Sequence, residues 1–163
     1  MAQAIGLEQV LLEEDEAWRM ASHIAELAAR EDLGELHGEL LALRGFLAGE
    51  LEVHFDREEA DLFPVLAKRG LEVEVEEAKC QHAALRAVRA ALDRVPEGDT
   101  VALRRALNRM SEAIHQHVRY EADFIYCDLT KPEAAAFRQD VDRTIEAAAA
   151  AAHERQTTPP ERT

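Results

Sequence analysis

The segment HFDREEADLF at residues 54–63 is answered by HVRYEADFIY at residues 117–126, and each opens with a histidine four residues ahead of a glutamate. On a helix, positions i and i+4 share a face, so His54 with Glu58 and His117 with Glu121 each set an imidazole beside a carboxylate. The pairs stand where core residues belong. One buried stripe reads Leu40, Leu43, Leu47, Leu51, His54, Glu58, Leu62, Val65, and another reads Leu103, Leu107, Met110, Ile114, His117, Glu121, Phe124. Asp15 falls likewise between Leu11 and Trp18, and His82 between Ala78 and Leu85. A carboxylate in an apolar core must be paired, protonated or bound to a metal, and no lysine or arginine shares these stripes at that level. Imidazole and carboxylate together suit iron, manganese or zinc, and two glutamates can bridge two ions. The expected chemistry is therefore a dinuclear metal centre made by Asp15, His54, Glu58, His82, His117 and Glu121. Glu59 is set aside in favour of Glu58 because i and i+5 do not share a helix face.

Helices must bring these residues together. The 163-residue chain is rich in Ala, Leu and Glu and has only 5% aromatic residues, which points to an all-α protein of one domain. Glycine and proline divide it into helical runs at about 7–30, 35–68, 71–94, 100–128 and 131–154. Thr130-Lys131-Pro132-Glu133 reads as a capping box opening the last run. The short links make neighbours antiparallel, giving an up-down-up-down four-helix bundle over residues 7–129. A fifth helix, 131–154, packs outside the bundle or against a partner molecule, as in a homodimer. The domain runs over 1–155, and the tail 156–163, with Pro159-Pro160, reads as disordered. Helices one and two echo helices three and four at offsets of 67 and 63 residues, so the bundle is a hairpin used twice. At about 1.5 Å per residue, Asp15, His54, His82 and His117 all fall within about two turns of one plane.

Charge and composition remove several classes of partner. A net charge of −14 repels nucleic-acid phosphates and anionic lipid. There is no apolar run of membrane-spanning length and no basic, apolar leader at the start, so the expected location is the cytoplasm. Cys80 and Cys127 lack CxxC spacing and read as reduced, half-buried residues.

At His54-Phe55-x-x-Glu58-Glu59-x-x-Leu62-Phe63-Pro64 and His117-x-x-x-Glu121, with His82 between, the chain resembles the haemerythrin-like, or HHE cation-binding, family over about residues 7 to 129. The resemblance implies a four-helix bundle holding two iron ions per chain with bridging carboxylates and an oxo or hydroxo bridge. Zinc or manganese are the substitutes to consider. It also implies binding or sensing of dioxygen, nitric oxide or peroxide. The alternatives are peroxide decomposition, and an interaction module that responds to iron or redox state. Two positions depart from the family: Asp15 stands where the first-helix histidine is expected, with Glu16 the next candidate, and Arg86 replaces a second third-helix histidine of the oxygen carriers.

The remaining residues of chemical interest have plainer expectations. His23, His37, His115 and His153 sit off the shared level or face and are expected at the surface, and Glu112-x-x-His115 lacks the second copy that a ferritin-like site needs. Trp18 and Phe46 are expected in the core. Tyr120 is expected off the shared face. Pro64 should kink the second helix near Ala60, because it lacks an N–H and its ring meets that carbonyl.

Overall fold

The computed structural model describes residues 6–34 and 36–157, and among them every regular element is helical. Helix α1 spans Leu7–Ala29. The second run is assembled from α2 (His37–Ala48), α3 (Glu50–Arg57) and α4 (Phe63–Leu66), followed by α5 (Glu72–Asp93), α6 (Thr100–Tyr120) and α7 (Ala135–Thr157). No described helix is long and apolar enough to cross a membrane.

The second run is interrupted for local reasons. Gly49 separates α2 from α3, and a Cβ there would lie 2.9 Å from the Gly45 carbonyl, closer than a side chain tolerates. Pro64 is accommodated by a π-helical segment, Glu58–Leu62, in which the Phe63 N–H reaches back to the Glu58 carbonyl. The wide turn falls on Ala60, where the helix cannot make an ordinary bond to proline. A second π-helical segment, Ala67–Leu71, ends through Gly70 at φ 99°, and the chain turns into α5. A third, Glu121–Ile125, prolongs α6, closed by the Tyr126 N–H on the Glu121 carbonyl at 2.7 Å. Asp99 caps α6 by accepting from the Ala102 N–H at 2.9 Å. Before the last helix the Thr130 hydroxyl donates to the Cys127 carbonyl, and a 3₁₀ turn at Pro132–Ala134 leads into α7; the Glu133 side chain of the expected capping box lies outside the described residues.

The buried face of α1 reads Leu7, Val10, Glu14, Ala17, Ala21, Ile24 and Leu27, steps of three and four. Its small members allow close approach to α6, where Ser111 Oγ donates to the Ala21 carbonyl at 2.7 Å. Trp18, expected in the core, is 43% exposed and meets His115 edge-on, whereas Phe46 is buried as expected. His115 is also drawn in from the surface by Ser22 Oγ at 3.2 Å, while His23 and His37 are exposed as expected. The side chain of His153 lies outside the described residues. Cys80 is exposed and Cys127 half-buried.

The apolar interior falls into two clusters. One holds Ala17, Ile24, Leu47, Leu51, Phe55, Leu85 and Ile114. The other holds Val10, Leu62, Phe63, Val75, Ala78, Ile125 and Tyr126, and α7 adds Val141 and Ile145 to it. Each fully buried Leu or Ile contributes about 1.5–3 kcal/mol. The last helix thus packs on its own chain. Asp142 accepts from the Leu7 N–H at 2.8 Å, and Arg69 pairs with Asp140 at 2.5 Å. Gln156 and Thr157 continue α7, and the rest of the expected tail lies outside the described residues.

Candidate metal centre

The polar side chains lie at the seam between the two clusters. In α1 Glu14 separates Val10 from Ala17, and in α5 His82 separates Ala78 from Leu85. His54 and Glu58 occupy the passage from Leu51 to Leu62, and His117 and Glu121 that from Ile114 to Ile125. Five of the expected residues come together: His54, Glu58, His82, His117 and Glu121 are all at most 3% exposed.

The sixth does not. Asp15 is exposed, and so is Glu16; the α1 carboxylate at the seam is Glu14, 6% exposed. The physical reason is the phase of α1, whose inner face is set by Ala17 and Ala21 rather than by Leu11 and Trp18. Glu14 Oε1 lies 2.6 Å from His54 Nε2. Phe124, expected to continue the α6 stripe, is 55% exposed, because the π turn carries Ile125 and Tyr126 inward instead.

The imidazoles share one orientation: each turns Nε2 inward and Nδ1 outward to an acceptor. His54 Nδ1 faces Glu13 at 3.1 Å, His82 Nδ1 faces Glu59 at 2.8 Å, and His117 Nδ1 faces Gln81 Oε1 at 3.3 Å. Two of the acceptors are clamped from outside, Glu13 by Arg57 at 2.8 Å and Glu59 by Arg86 at 2.8 Å. Phe55 stacks on the His82 ring at 4.0 Å between centroids. The outer acceptors aim each Nε2 at the interior, the arrangement that orients histidine ligands in metalloproteins. Glu13, Glu14, Gln81 and Tyr126 were missed at the sequence level, and no periodic signal could have found the outer acceptors, which lie across helices.

Charge is concentrated in this seam. Burial pushes the Glu121 carboxyl well above the ordinary range, and the charges of Glu58 and Glu14 add to it. Burial raises Glu14 as well, with His54 acting in the other direction. Burial opposes charge on His54, but Glu58, Glu14 and Glu13 outweigh it and hold its pKa up at about 9. Burial and the nearby His82 press His117 down to about 3. Glu58 sits below the ordinary range despite its burial, because His54, His82 and the Tyr126 hydroxyl favour its charge.

The donor set fits cations. Glu14 Oε2, Glu58 Oε2 and both carboxylate oxygens of Glu121 are buried without a hydrogen-bond partner. Such atoms cost about 1–3 kcal/mol each unless something satisfies them. His82 Nε2 and His117 Nε2 face each other at 3.1 Å. That is about the spacing of two adjacent nitrogen ligands that each sit about 2.1 Å from one ion. Two overlapping groups offer donor atoms within 4.8 Å of one another: Glu58, His82, His117 and Glu121, and Glu14, His54, Glu58 and Glu121.

An all-helical protein with a buried cluster of carboxylates and imidazoles suited to metal ions is what fold and site define together. Residues 8–127 match the family model described as Hemerythrin HHE cation binding domain, and the chain belongs to that family. Neither the curated proteins nor the solved structures returned a match.

Proposed function

We propose that the chain is a non-haem di-iron protein that binds or senses a small oxidant: dioxygen, nitric oxide or peroxide. In this reading its helices form an up-down-up-down bundle. Support comes from the order in which α1, the run from α2 to α4, α5, and α6 with its π-helical extension meet the two apolar clusters, which reverses at each successive run.

The observation that carries the function is the pair of overlapping donor groups. Glu58 and Glu121 belong to both, so one ion would be held with His82 and His117 and the other with His54 and Glu14. Two divalent ions would more than offset three inward carboxylates and would satisfy their orphaned oxygens. Bound iron supplies a redox-active Lewis acid with coordination positions for a small ligand. The chain's own part is to hold the imidazoles by Glu13, Glu59 and Gln81 and to keep bulk water out with two apolar layers. Glu14 supplies the ligand that family resemblance sought at Asp15.

Metal analysis of the protein as isolated, with absorption spectra before and after dithionite, tests the reading. About two irons per chain and a near-ultraviolet band bleached by reduction are expected. Natively folded protein that takes up no iron on anaerobic reconstitution would refute it.

Peroxide decomposition is a second reading, favoured by a cavity of about 390 Å³ that reaches His54 between Glu13, Phe46, Leu51 and Arg57. It gives a small solute an approach to the Glu14–His54 end. Oxygen release from added peroxide, lost in His54→Ala, supports turnover; stable ligand binding without release excludes it.

A further inference from the structure

Beside the exchange of Glu14 for His82, the two halves of the internal repeat differ by one hydroxyl next to the cluster. Phe63 and Tyr126 hold corresponding places 63 residues apart. Each closes the π turn that begins at its own glutamate, Phe63 on Glu58 and Tyr126 on Glu121. Tyr126 is 1% exposed, and its hydroxyl crosses the seam to donate to Glu58 Oε1 in the opposite half. Phe63 has no hydroxyl to return, and both oxygens of Glu121 stay without a partner. Glu58 is left with one unsatisfied oxygen, Oε2, 3.4 Å from His54 Nε2 and 3.3 Å from His82 Nε2. It therefore faces the two donor groups equally.

We propose that Tyr126 is a positioning residue that occupies Glu58 Oε1, so that Glu58 serves both cations through Oε2 alone while Glu121 offers both of its oxygens. The inference rests on the two-cation reading. Two carboxylates that are equivalent in the sequence repeat become unequal in chemistry. A glutamate confined to one oxygen cannot chelate either ion, and a coordination position that a chelating carboxylate would fill stays available to an outside ligand. Nothing else within the second apolar cluster carries a polar atom to Glu58, so the restriction depends on this one hydroxyl.

The test compares wild type, Tyr126→Phe and Tyr120→Phe after cobalt(II) loading. Tyr120 donates to the Glu74 carbonyl, away from the cluster, and serves as the control. All three should bind two cobalt ions. In Tyr126→Phe the freed Oε1 raises the coordination number, so the visible cobalt bands weaken and azide affinity drops by roughly ten-fold. A merely structural tyrosine would shift the melting temperature and leave the bands and azide affinity as in wild type, which would overturn the proposal. Should Tyr126→Phe fail to fold, Tyr120→Phe still decides, because the chain has two tyrosines and Tyr126 is then the last one. Its near-ultraviolet bands must shift on zinc loading, and unchanged bands sink the inference. Wild type that binds no cobalt sinks the two-cation reading itself, a result distinct from a silent Tyr126→Phe.

Discussion

Replacing Glu121 by glutamine should stabilise the cation-free protein and weaken the loaded one. Glu121 is fully buried, and neither of its oxygens has a partner. Its carboxyl is held well above the usual range, first by burial and then by Glu58 and Glu14. Between its ordinary and its raised pKa the folded chain therefore keeps a proton that the unfolded chain has released. Where the native state binds more protons, stability falls as pH rises, so Glu121 destabilises the cation-free fold increasingly above the ordinary carboxylate range. Glutamine keeps the shape, removes that dependence, and brings N–H donors to the carboxylates of Glu14 and Glu58. Relief of the orphaned oxygens is worth about 2 kcal/mol. For a chain of 163 residues that is a rise of roughly 4–8 °C in Tm. Calorimetry in chelator at pH 8 and pH 5 should show the larger gain at pH 8. With excess iron or zinc the order should invert, because the variant has lost a shared ligand. A cation-free variant that melts at or below wild type at pH 8 would refute the claim that these oxygens are frustrated without a cation.

Glu14→Ala should lower uptake from two ions per chain to one, while Asp15→Ala leaves it unchanged; metal analysis after desalting separates them. Glu59→Gln weakens the acceptor that orients His82 and should reduce zinc affinity about 10–100-fold in competition with a chromophoric chelator, with the exposed Glu76→Gln as control. The raised His54 pKa of about 9 stabilises the cation-free fold fully below its ordinary value of 6.5, and that contribution disappears as pH climbs through about 9. The same proton must leave when metal binds, so loading at pH 7 should acidify a weakly buffered solution and tighten with rising pH.

The buried polar residues on α3, α5, α6 and the two π-helical segments that follow α3 and α6 could be read from the sequence because each stands in place of an apolar residue in an otherwise regular stripe. Leu47, Leu51 and Leu62 frame His54 and Glu58, and all are buried as the spacing requires. Helix α1 departs from its sequence pattern for a definite reason. Its inner face is lined by Ala17 and Ala21, which mark a close helix crossing, while the bulky Trp18 lies outside and lent false weight to Asp15. Pro64 announced the first π turn, but nothing near Phe124 announces the second; only the repeat with residues 54–63 could have suggested that the face slips there. The outer acceptors Glu13, Glu59 and Gln81 look like ordinary helix-surface residues until neighbouring helices are in place, so their roles exist only in three dimensions.

The seam also explains why α7, all of which lies beyond the family match at residues 8–127, belongs to the site's architecture. Three buried carboxylates and three imidazoles need two things at once: captured cations and a low-dielectric surround that keeps water from competing for them. The first apolar cluster supplies that surround from the four helices alone. The second is completed by Val141 and Ile145 of α7, which are 0% and 2% exposed. Those two residues roof the layer containing Tyr126, the hydroxyl that fixes Glu58. The Leu7 N–H bond to Asp142 and the Arg69–Asp140 pair hold the roof at both of its neighbours. The last helix therefore acts on the metal centre through packing, by keeping dry the side from which Glu58 is positioned.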